Sequence, residues 1–233
     1  MARRLTDVAV AGAALVVLSP VLLVVAALIR LSGGGPVIYR ARRAGRHGRP
    51  FTMLKFRTMR VGASASGGAI TGPDDGRVLR LGSWLRRTKL DELPQLVNVL
   101  RGEMSIVGPR PEDPRIVSAH FRPEHLRTLD VAPGLTSPGS LFNYTHGEAL
   151  LTGPDPDAAY AERLLPVKLA LELVYLRRRG PRYDLLVVAR TIWVIAAIAA
   201  GRRSFPAPPE LREARGSILE VPASFGEARE AAP

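Results

Sequence analysis

Two adjacent acidic residues, Asp91 and Glu92, precede an apolar helical repeat and are the strongest candidates for chemistry in this 233-residue chain. Neighbouring carboxylates repel each other, so the pair requires a nearby cation or a bound proton. Mg²⁺ carried by a diphosphate would supply that cation, because this ion binds one or two carboxylates together with phosphate oxygens. A carboxylate can also attack phosphorus and form a covalent intermediate. Capping of a helix is the alternative role, since acidic residues are favoured at a helix N-terminus.

Phosphoryl transfer also requires cations around the phosphate oxygens. Lys55 and Arg57 are two residues apart in an extended segment and would share one strand face. Arg110 stands between two prolines, which restrict its backbone. We predict that four cations bind phosphate: Lys55, Arg57, Arg86 and Arg110.

The element that positions the acidic pair is an amphipathic helix. Its apolar positions follow the i, i+3, i+4, i+7 rule: Leu93, Leu96, Val97 and Leu100. Pro94 is tolerated only in the first helical turn, so the helix should begin near Asp91 and end near Arg101-Gly102. The carboxylates would then lie at the helix N-terminus, where free N–H groups and the helix dipole favour phosphate.

An apolar run from Val8 to Ile29 is long enough to cross a hydrocarbon core of roughly 30 Å. Ser19 and Pro20 interrupt it near the middle, where proline removes a backbone hydrogen bond and favours a bend. Arginines flank both ends, whereas a spanning helix usually has basic residues on one side. We therefore predict a re-entrant helix-break-helix anchor over residues 1–35, with a true span and a cleaved signal peptide as alternatives.

The segment after the anchor predicts a catalytic domain over residues 36–203. Two extended runs, Val37 to Ala41 and Phe51 to Arg57, flank a turn-rich stretch and predict a β-hairpin. Residues 62–76 are rich in Gly, Ser and Ala, which is typical of a loop that could form a lid.

The C-terminal part predicts more helix. Ala158 to Arg179 reads as a helix, and Leu185 to Ala200 predicts an interfacial amphipathic helix with Trp193 near the lipid headgroups. The alternative for the segment from Leu185 to Ala200 is an ordinary helix of the protein core. Residues 204–233 are rich in Pro, Ala, Glu and Arg, so we predict a poorly structured tail. The fold class is thus α+β, mostly helical, with a small antiparallel hairpin.

Composition narrows the choice of function. The net charge of +12 suits an anionic partner, and the hydrophobic content of 46% is high for so basic a chain, which favours a membrane protein. The sequence contains no cysteine, which excludes disulfides, thiolate zinc sites and a thiol nucleophile. The basic residues are scattered and not interleaved with aromatic ones, so nucleic acid is not the expected partner.

Several motifs together resemble the bacterial sugar transferase family, the polyprenyl-phosphate phosphoglycosyl transferases with a single membrane element. The resemblance runs from about Arg4 to Ala200. It is carried by the Ser-Pro break, Lys55-Phe56-Arg57-Thr58-Met59, Asp91-Glu92-Leu93-Pro94-Gln95 and Gly108-Pro109-Arg110-Pro111.

The resemblance implies a phosphosugar transfer from a nucleotide sugar, usually of uridine, to polyprenyl phosphate. It implies that Asp91 is the nucleophile, that Mg²⁺ is required, and that Glu92 binds the metal or accepts a proton. Membrane phospholipids would be further partners, and the protein would be monotopic on the cytoplasmic face of the bacterial inner membrane. A homodimer is left open, and an inactive membrane-surface or assembly protein of the same fold is the alternative function.

Two positions depart from the family pattern. The Gly-Trp-Ala-Gln that commonly follows the Pro-Gly-Ile-Thr stretch is replaced by Ser137-Pro138-Gly139-Ser140, so Asn143, Tyr144 and His146 become candidates for recognition. Lys168, Tyr175 and Asp184 match the closing pattern of the family. Glu172 stands where aspartate is usual and reaches one methylene further.

Overall fold

A computed structural model describes residues 2–32, 34–63, 68, 70–72, 75–151 and 153–217. The described chain is mostly helical and carries two small sheets, which confirms the predicted α+β class. Its helices are α1 (Ala2–Leu31), α2 (Arg80–Thr88), α3 (Gln95–Arg101), α4 (Pro114–His120), α5 (Pro123–Leu126), α6 (Pro138–Phe142), α7 (Glu148–Leu150), α8 (Pro156–Ala159), α9 (Leu165–Arg178), α10 (Pro181–Ala199) and α11 (Glu210–Ser217). Its strands are β1 (Ile38–Ala44), β2 (Pro50–Phe56), β3 (Ser105–Val107) and β4 (Gly134–Thr136).

Helix α1 is one continuous helix through Pro20, and the bend predicted at Ser19-Pro20 stays a prediction. Pro20 has no N–H for the carbonyl of Val16, but the Ser19 hydroxyl donates to that carbonyl at 2.7 Å and satisfies it. By length and composition α1 is the helix among the described residues that could cross a membrane. Its re-entry into the same face of the bilayer stays a prediction.

The predicted hairpin is confirmed. Strands β1 and β2 pair antiparallel from Ile38 opposite Phe56 to Ala44 opposite Pro50. The tight connection uses two residues with positive φ, His47 at 56° and Gly48 at 71°. The hairpin packs on two apolar clusters, through Met53 near α3 and through Phe56, on the opposite face, near the end of α1.

The predicted start of the amphipathic helix near Asp91 is wrong. Lys89 adopts a left-handed conformation (φ 57°) and ends α2, and a 3-10 turn follows over Leu90–Glu92. Pro94 stands just before α3, because its ring is accommodated at a helix entry, and the helix begins at Gln95. The predicted end is confirmed, with Gly102 at φ 82° after Arg101.

A second small sheet, which the sequence analysis did not predict, joins the segment after α3 to the segment before α6. Strands β3 and β4 run parallel, with Ser105 opposite Gly134 and Val107 opposite Thr136. A Cβ atom on Gly134 would lie 2.0 Å from the Gly108 nitrogen, so only glycine permits this close approach.

The helix predicted over Ala158 to Arg179 is present as α8, a π-helical turn over Tyr160–Leu164, and α9. Helix α10 covers the predicted interfacial segment. The predicted poorly structured tail is wrong for residues 210–217, because α11 packs Leu211 and Ala214 into the apolar core around α9. Residues 218–233 lie outside the described part of the chain, as do residues 64–67, 69, 73 and 74 of the predicted lid.

Candidate active site

The acidic pair lies in the 3-10 turn between α2 and α3, and both residues are buried, with 6% of their surface exposed. The left-handed Lys89 reverses the chain just before them, which aims the pair inward toward β2 and the Gly108–Pro111 segment. Exposed capping of a helix, the alternative role for the pair, is excluded by this burial and by the absence of a side-chain cap at α3.

Glu92 accepts four hydrogen bonds. Its Oε1 accepts from Lys55 Nζ at 2.9 Å and from Arg110 Nη2 at 2.6 Å. Its Oε2 accepts from Arg110 Nη1 at 3.2 Å and from the Tyr144 hydroxyl at 3.0 Å. Burial alone would raise the pKa of Glu92, but the charges of Arg110 and Lys55 hold that pKa well below its ordinary value. Glu92 is therefore an ionised residue whose four lone-pair positions are all occupied.

Asp91 differs from Glu92 both in its hydrogen bonding and in the direction of its pKa shift. Its Oδ1 is buried and has no hydrogen-bond partner among the described residues. Burial raises the pKa of Asp91 above its ordinary value, and the negative charge of Glu92 adds to the rise, while the charge of Lys55 opposes both. An unpartnered carboxylate oxygen beside a cation is a group that can attack an electrophile.

The structure brings two of the four predicted cations together and separates the others. Lys55 and Arg110 meet at Glu92. Arg86 donates to the Thr58 hydroxyl at 2.8 Å, and the charge of Asp91 partly offsets the lowering of its pKa by burial. Arg57 follows the end of β2, so it leaves the strand face of Lys55, and its Nη2 contacts the Ile29 carbonyl at 3.4 Å.

Two further residues, Lys89 and Tyr144, border the site, and the sequence analysis assigned neither of them to catalysis or phosphate binding. The ring of Tyr144 covers the Lys89 ammonium at 4.0 Å, and the Tyr144 hydroxyl also accepts from Arg110 Nη1 at 3.3 Å. Burial raises the pKa of Tyr144, so the phenol stays a hydrogen-bond donor to Glu92. Tyr144 stands in a π-helical turn, Asn143–Gly147, a feature often found at functional sites. In the sequence, the altered segment after Thr136 was the only indication that Tyr144 belongs to the site. Lys89 was indicated only by its position just before Asp91.

The donor set fits a substrate-borne Mg²⁺ better than a resident ion. Among the residues that the structure describes, no group of three or more His, Cys, Asp or Glu is arranged to hold a metal. Asp91 Oδ1 offers one free carboxylate oxygen, and Mg²⁺ commonly takes one or two carboxylates plus substrate phosphates. The occupied lone pairs of Glu92 disfavour its predicted role as a second metal ligand.

The sequence of the chain matches the model of a known family. The model of the bacterial sugar transferase family matches residues 1–197, and the chain belongs to that family. The chain is 34% identical over 197 residues to the UDP-glucose:undecaprenyl-phosphate glucose-1-phosphate transferase of Escherichia coli, covering 82% of this chain and 39% of that protein. It is 34% identical to the protein of the same name from Caulobacter vibrioides, covering 82% and 68%.

A third relative is of similar length. The exopolysaccharide production protein ExoY of Sinorhizobium fredii is 36% identical over 222 residues, covering 88% of each chain. By contrast, the chain spans well under half the length of the Escherichia coli relative. The match to that relative therefore covers only part of its length.

Proposed function

We propose that this protein transfers a sugar phosphate from a UDP-sugar to undecaprenyl phosphate or a similar polyprenyl phosphate. The products would be a polyprenyl diphosphate sugar and UMP. The observation that carries the proposal is the contrast within the acidic pair, where Glu92 is fully hydrogen-bonded and Asp91 Oδ1 is free. The names of the relatives from Escherichia coli and Caulobacter vibrioides support the donor and acceptor classes.

The reaction is divided into two steps at Asp91. In the first step Asp91 attacks the phosphorus bonded to the sugar, the phosphoanhydride bond to UMP breaks, and an aspartyl-phosphosugar remains. In the second step an oxygen of the polyprenyl phosphate attacks the same phosphorus and releases the Asp91 carboxylate. Bound Mg²⁺ would neutralise the charge on the diphosphate oxygens.

The neighbouring side chains prepare Asp91 for both steps. The charge of Lys55 favours the ionised form of Asp91, which is the nucleophilic form. Arg110 and Tyr144 hold Glu92 in place, so this carboxylate keeps the cations ordered beside the reacting phosphorus. Arg86 donates to the Thr58 hydroxyl and its charge interacts with that of Asp91, and we assign it to the donor phosphates.

The same proposal places the protein on one face of the inner membrane, the cytoplasmic face, where UDP-sugars are made. Both ends of α1 pack on the catalytic part, through Asp7 and Ile29, while its middle is exposed, with Val16 and Val17 each 74% accessible. With a bend at Pro20, the middle of this helix would enter the lipid while both ends stay at one surface. Helix α10 exposes Ile192 and half of Trp193, which suits the headgroup region.

Detergent-solubilised protein incubated with single UDP-sugars, polyprenyl phosphate and Mg²⁺ tests the activity. We expect UMP release with at least one UDP-sugar, and a lipid-extractable sugar in equal amount. Release of UDP instead of UMP would contradict the proposal, because it would mean that the sugar is transferred without its phosphate.

A further inference from the structure

The two departures from the family pattern meet in the structure. Ser137, the first residue of the altered segment, donates its hydroxyl to Glu172 Oε1 at 2.6 Å. Gly139 packs on the same oxygen, because a Cβ atom at this position would lie 2.5 Å from Glu172 Oε1. The longer side chain at position 172 therefore occupies the space that a small residue at position 139 leaves free.

Glu172 also contacts the turn that carries Arg110. Its Oε1 accepts from the Arg110 backbone N–H at 3.3 Å, and the Arg110 guanidinium binds both oxygens of Glu92. Pro109 and Pro111 flank Arg110, so this is the single backbone N–H in the Pro109–Pro111 segment. A hydrogen bond to that group fixes the point from which the Arg110 side chain reaches the site.

Glu172 is not a partner in an ordinary buried ion pair. Lys168 lies one turn before it on α9, but the Lys168 ammonium is bound to Glu112 at 2.6 Å and to the Tyr160 hydroxyl at 2.5 Å. Glu172 Oε2 is buried without a hydrogen-bond partner among the described residues, and the residue borders a cavity of about 20 Å³. That volume admits one water molecule. The carboxyl group is thus held in the interior by its contacts to Ser137 and Arg110, with no counterion of its own.

We propose that Glu172 and residues 137–140 form a matched pair that positions Arg110, and through it Glu92, for the transfer reaction. This inference rests on the proposed function. Glu172 is a positioning residue, since it touches neither the reacting atoms nor Asp91.

If Glu172 and residues 137–140 are matched, substitutions at positions 172 and 139 should not have independent effects. Glu172→Asp introduces the residue usual in the family, yet the shorter side chain loses contact with Ser137 and the Arg110 N–H, and we expect kcat to fall by about tenfold with little change in KM. Gly139→Ala alone brings a methyl group against Glu172 and should lower kcat by a similar factor of about ten. In the double variant the methyl group fills the space that the aspartate vacates and no longer clashes, so we expect kcat to stay about tenfold below the wild type, as in Glu172→Asp alone, and not to fall by the roughly hundredfold expected of independent effects.

Hydrogen–deuterium exchange gives a readout that does not depend on turnover. In a peptide from Pro109 to Glu112 the exchangeable backbone amides are those of Arg110 and Glu112. We expect faster exchange of the Arg110 amide in Glu172→Asp, and slow exchange in Glu172→Gln, which keeps an oxygen acceptor of the same reach. Glu210→Gln, at another deeply buried glutamate, should lower Tm but leave Arg110 exchange and kcat unchanged.

The results separate the two proposals. Absence of UMP release by the wild-type protein would overturn the proposed function and this role with it. UMP release by the wild type, combined with a double variant worse than either single variant or unchanged Arg110 exchange in Glu172→Asp, would overturn only the matched pair. A double variant whose kcat is no lower than that of Glu172→Asp, together with faster Arg110 exchange in Glu172→Asp, supports it.

Discussion

Arg110 contacts both carboxylate oxygens of Glu92, with Nη2 at 2.6 Å from Oε1 and Nη1 at 3.2 Å from Oε2. This two-point contact divides the acidic pair into one residue that is fully bound and one that is free to react. Adjacent residues of the same charge thereby acquire different pKa values, a rise for Asp91 and a fall for Glu92. Such a separation of neighbouring carboxylates is a common mark of a catalytic site.

Replacement of the proposed nucleophile should abolish the reaction. Asp91→Asn preserves the volume of the side chain but cannot form an acyl phosphate, so we expect UMP release to fall by about a thousandfold or more. Mass spectrometry of the wild-type protein with UDP-sugar and no acceptor should show the added mass of one phosphosugar, absent in the variant. Asp130→Asn, at an exposed position, is the matched control and should retain both signals. An unmodified wild-type protein that still turns over would favour direct transfer in one step.

The buried ion pairs around Glu92 should contribute to folding as well as to catalysis. Glu92→Gln leaves Lys55 and Arg110 without their counterion in a buried position, and we expect a loss of unfolding free energy of about 3 kcal/mol. Thermal or denaturant unfolding measures the change. Glu213→Gln removes a partly exposed glutamate that pairs with Arg177 and Arg178 at the surface, and its effect should stay within about 0.5 kcal/mol. Equal stability of the two variants would show that the Glu92 network is not structural.

The ionisation of Asp91 should depend on Lys55. Since the positive charge of Lys55 lowers the pKa of Asp91, Lys55→Met raises that pKa further. Formation of the adduct requires the carboxylate, so its rate declines as the pH falls through the pKa of Asp91. Single-turnover rates measured across the acid range should therefore show the acid limb of Lys55→Met at higher pH than that of the wild type. A limb that moves to lower pH would be inconsistent with this arrangement.

Glu172 should make the protein less stable as the pH rises through neutrality. Burial raises the pKa of Glu172 from its ordinary 4.5 to about 7, against the opposing hydrogen bonds from Ser137 and Arg110. Between these values the folded protein retains a proton that the unfolded chain has released, so the stability contributed by this group falls as the pH rises. The stability of Glu172→Gln relative to the wild type should increase over this window by up to about 3 kcal/mol. Melting curves at pH 5 and pH 8 would measure it, and a constant difference would show that Glu172 does not titrate there.

The segment after the family match should contribute to stability through Glu210. This carboxylate is 1% exposed and accepts from Arg190 at 2.6 Å and from the Tyr183 hydroxyl at 2.8 Å. Glu210→Gln removes the charge that balances Arg190, and we expect a loss of about 2 kcal/mol, because Arg190 is partly exposed to solvent. Arg212→Gln, on the exposed side of the same helix, should leave Tm nearly unchanged. Equal effects of the two variants would show that α11 does not pack as described.

The sequence predicted correctly those elements that are determined by neighbouring residues, such as turns and helix ends. The hairpin and the end of α3 at Gly102 followed from turn residues and apolar spacing, and both are confirmed. The parallel pairing of β3 with β4 joins residues about 30 positions apart in three-residue strands, which carry no recognisable period. The composition of residues 204–217 predicted a tail, but a few buried side chains such as Phe205 and Leu211 outweigh that polar composition.

The sequence predicted those site residues that stand in recognisable motifs, but not those whose position depends on the surrounding fold. Asp91, Glu92, Lys55 and Arg110 stand in recognisable motifs, and the last three meet in the structure. Arg57 was placed with Lys55 on the assumption that β2 continues, but the strand ends one residue earlier. The position of Tyr144 depends on a π-helical turn, whose extra residue per turn shifts the side chain in a way that sequence periodicity does not reveal.

The start of α1 is joined to the catalytic part by specific polar contacts. Arg3 donates to the Val107 carbonyl at 2.6 Å and pairs with Asp184, and Asp7 accepts from Ser105 and from the Ile106 amide. Removing α1 to obtain a protein that needs no detergent would therefore expose β3 and leave its buried polar groups without their hydrogen-bond partners. Helix α1 is therefore part of the packing around β3, and a fragment that lacks this helix would not reproduce the native structure of the site.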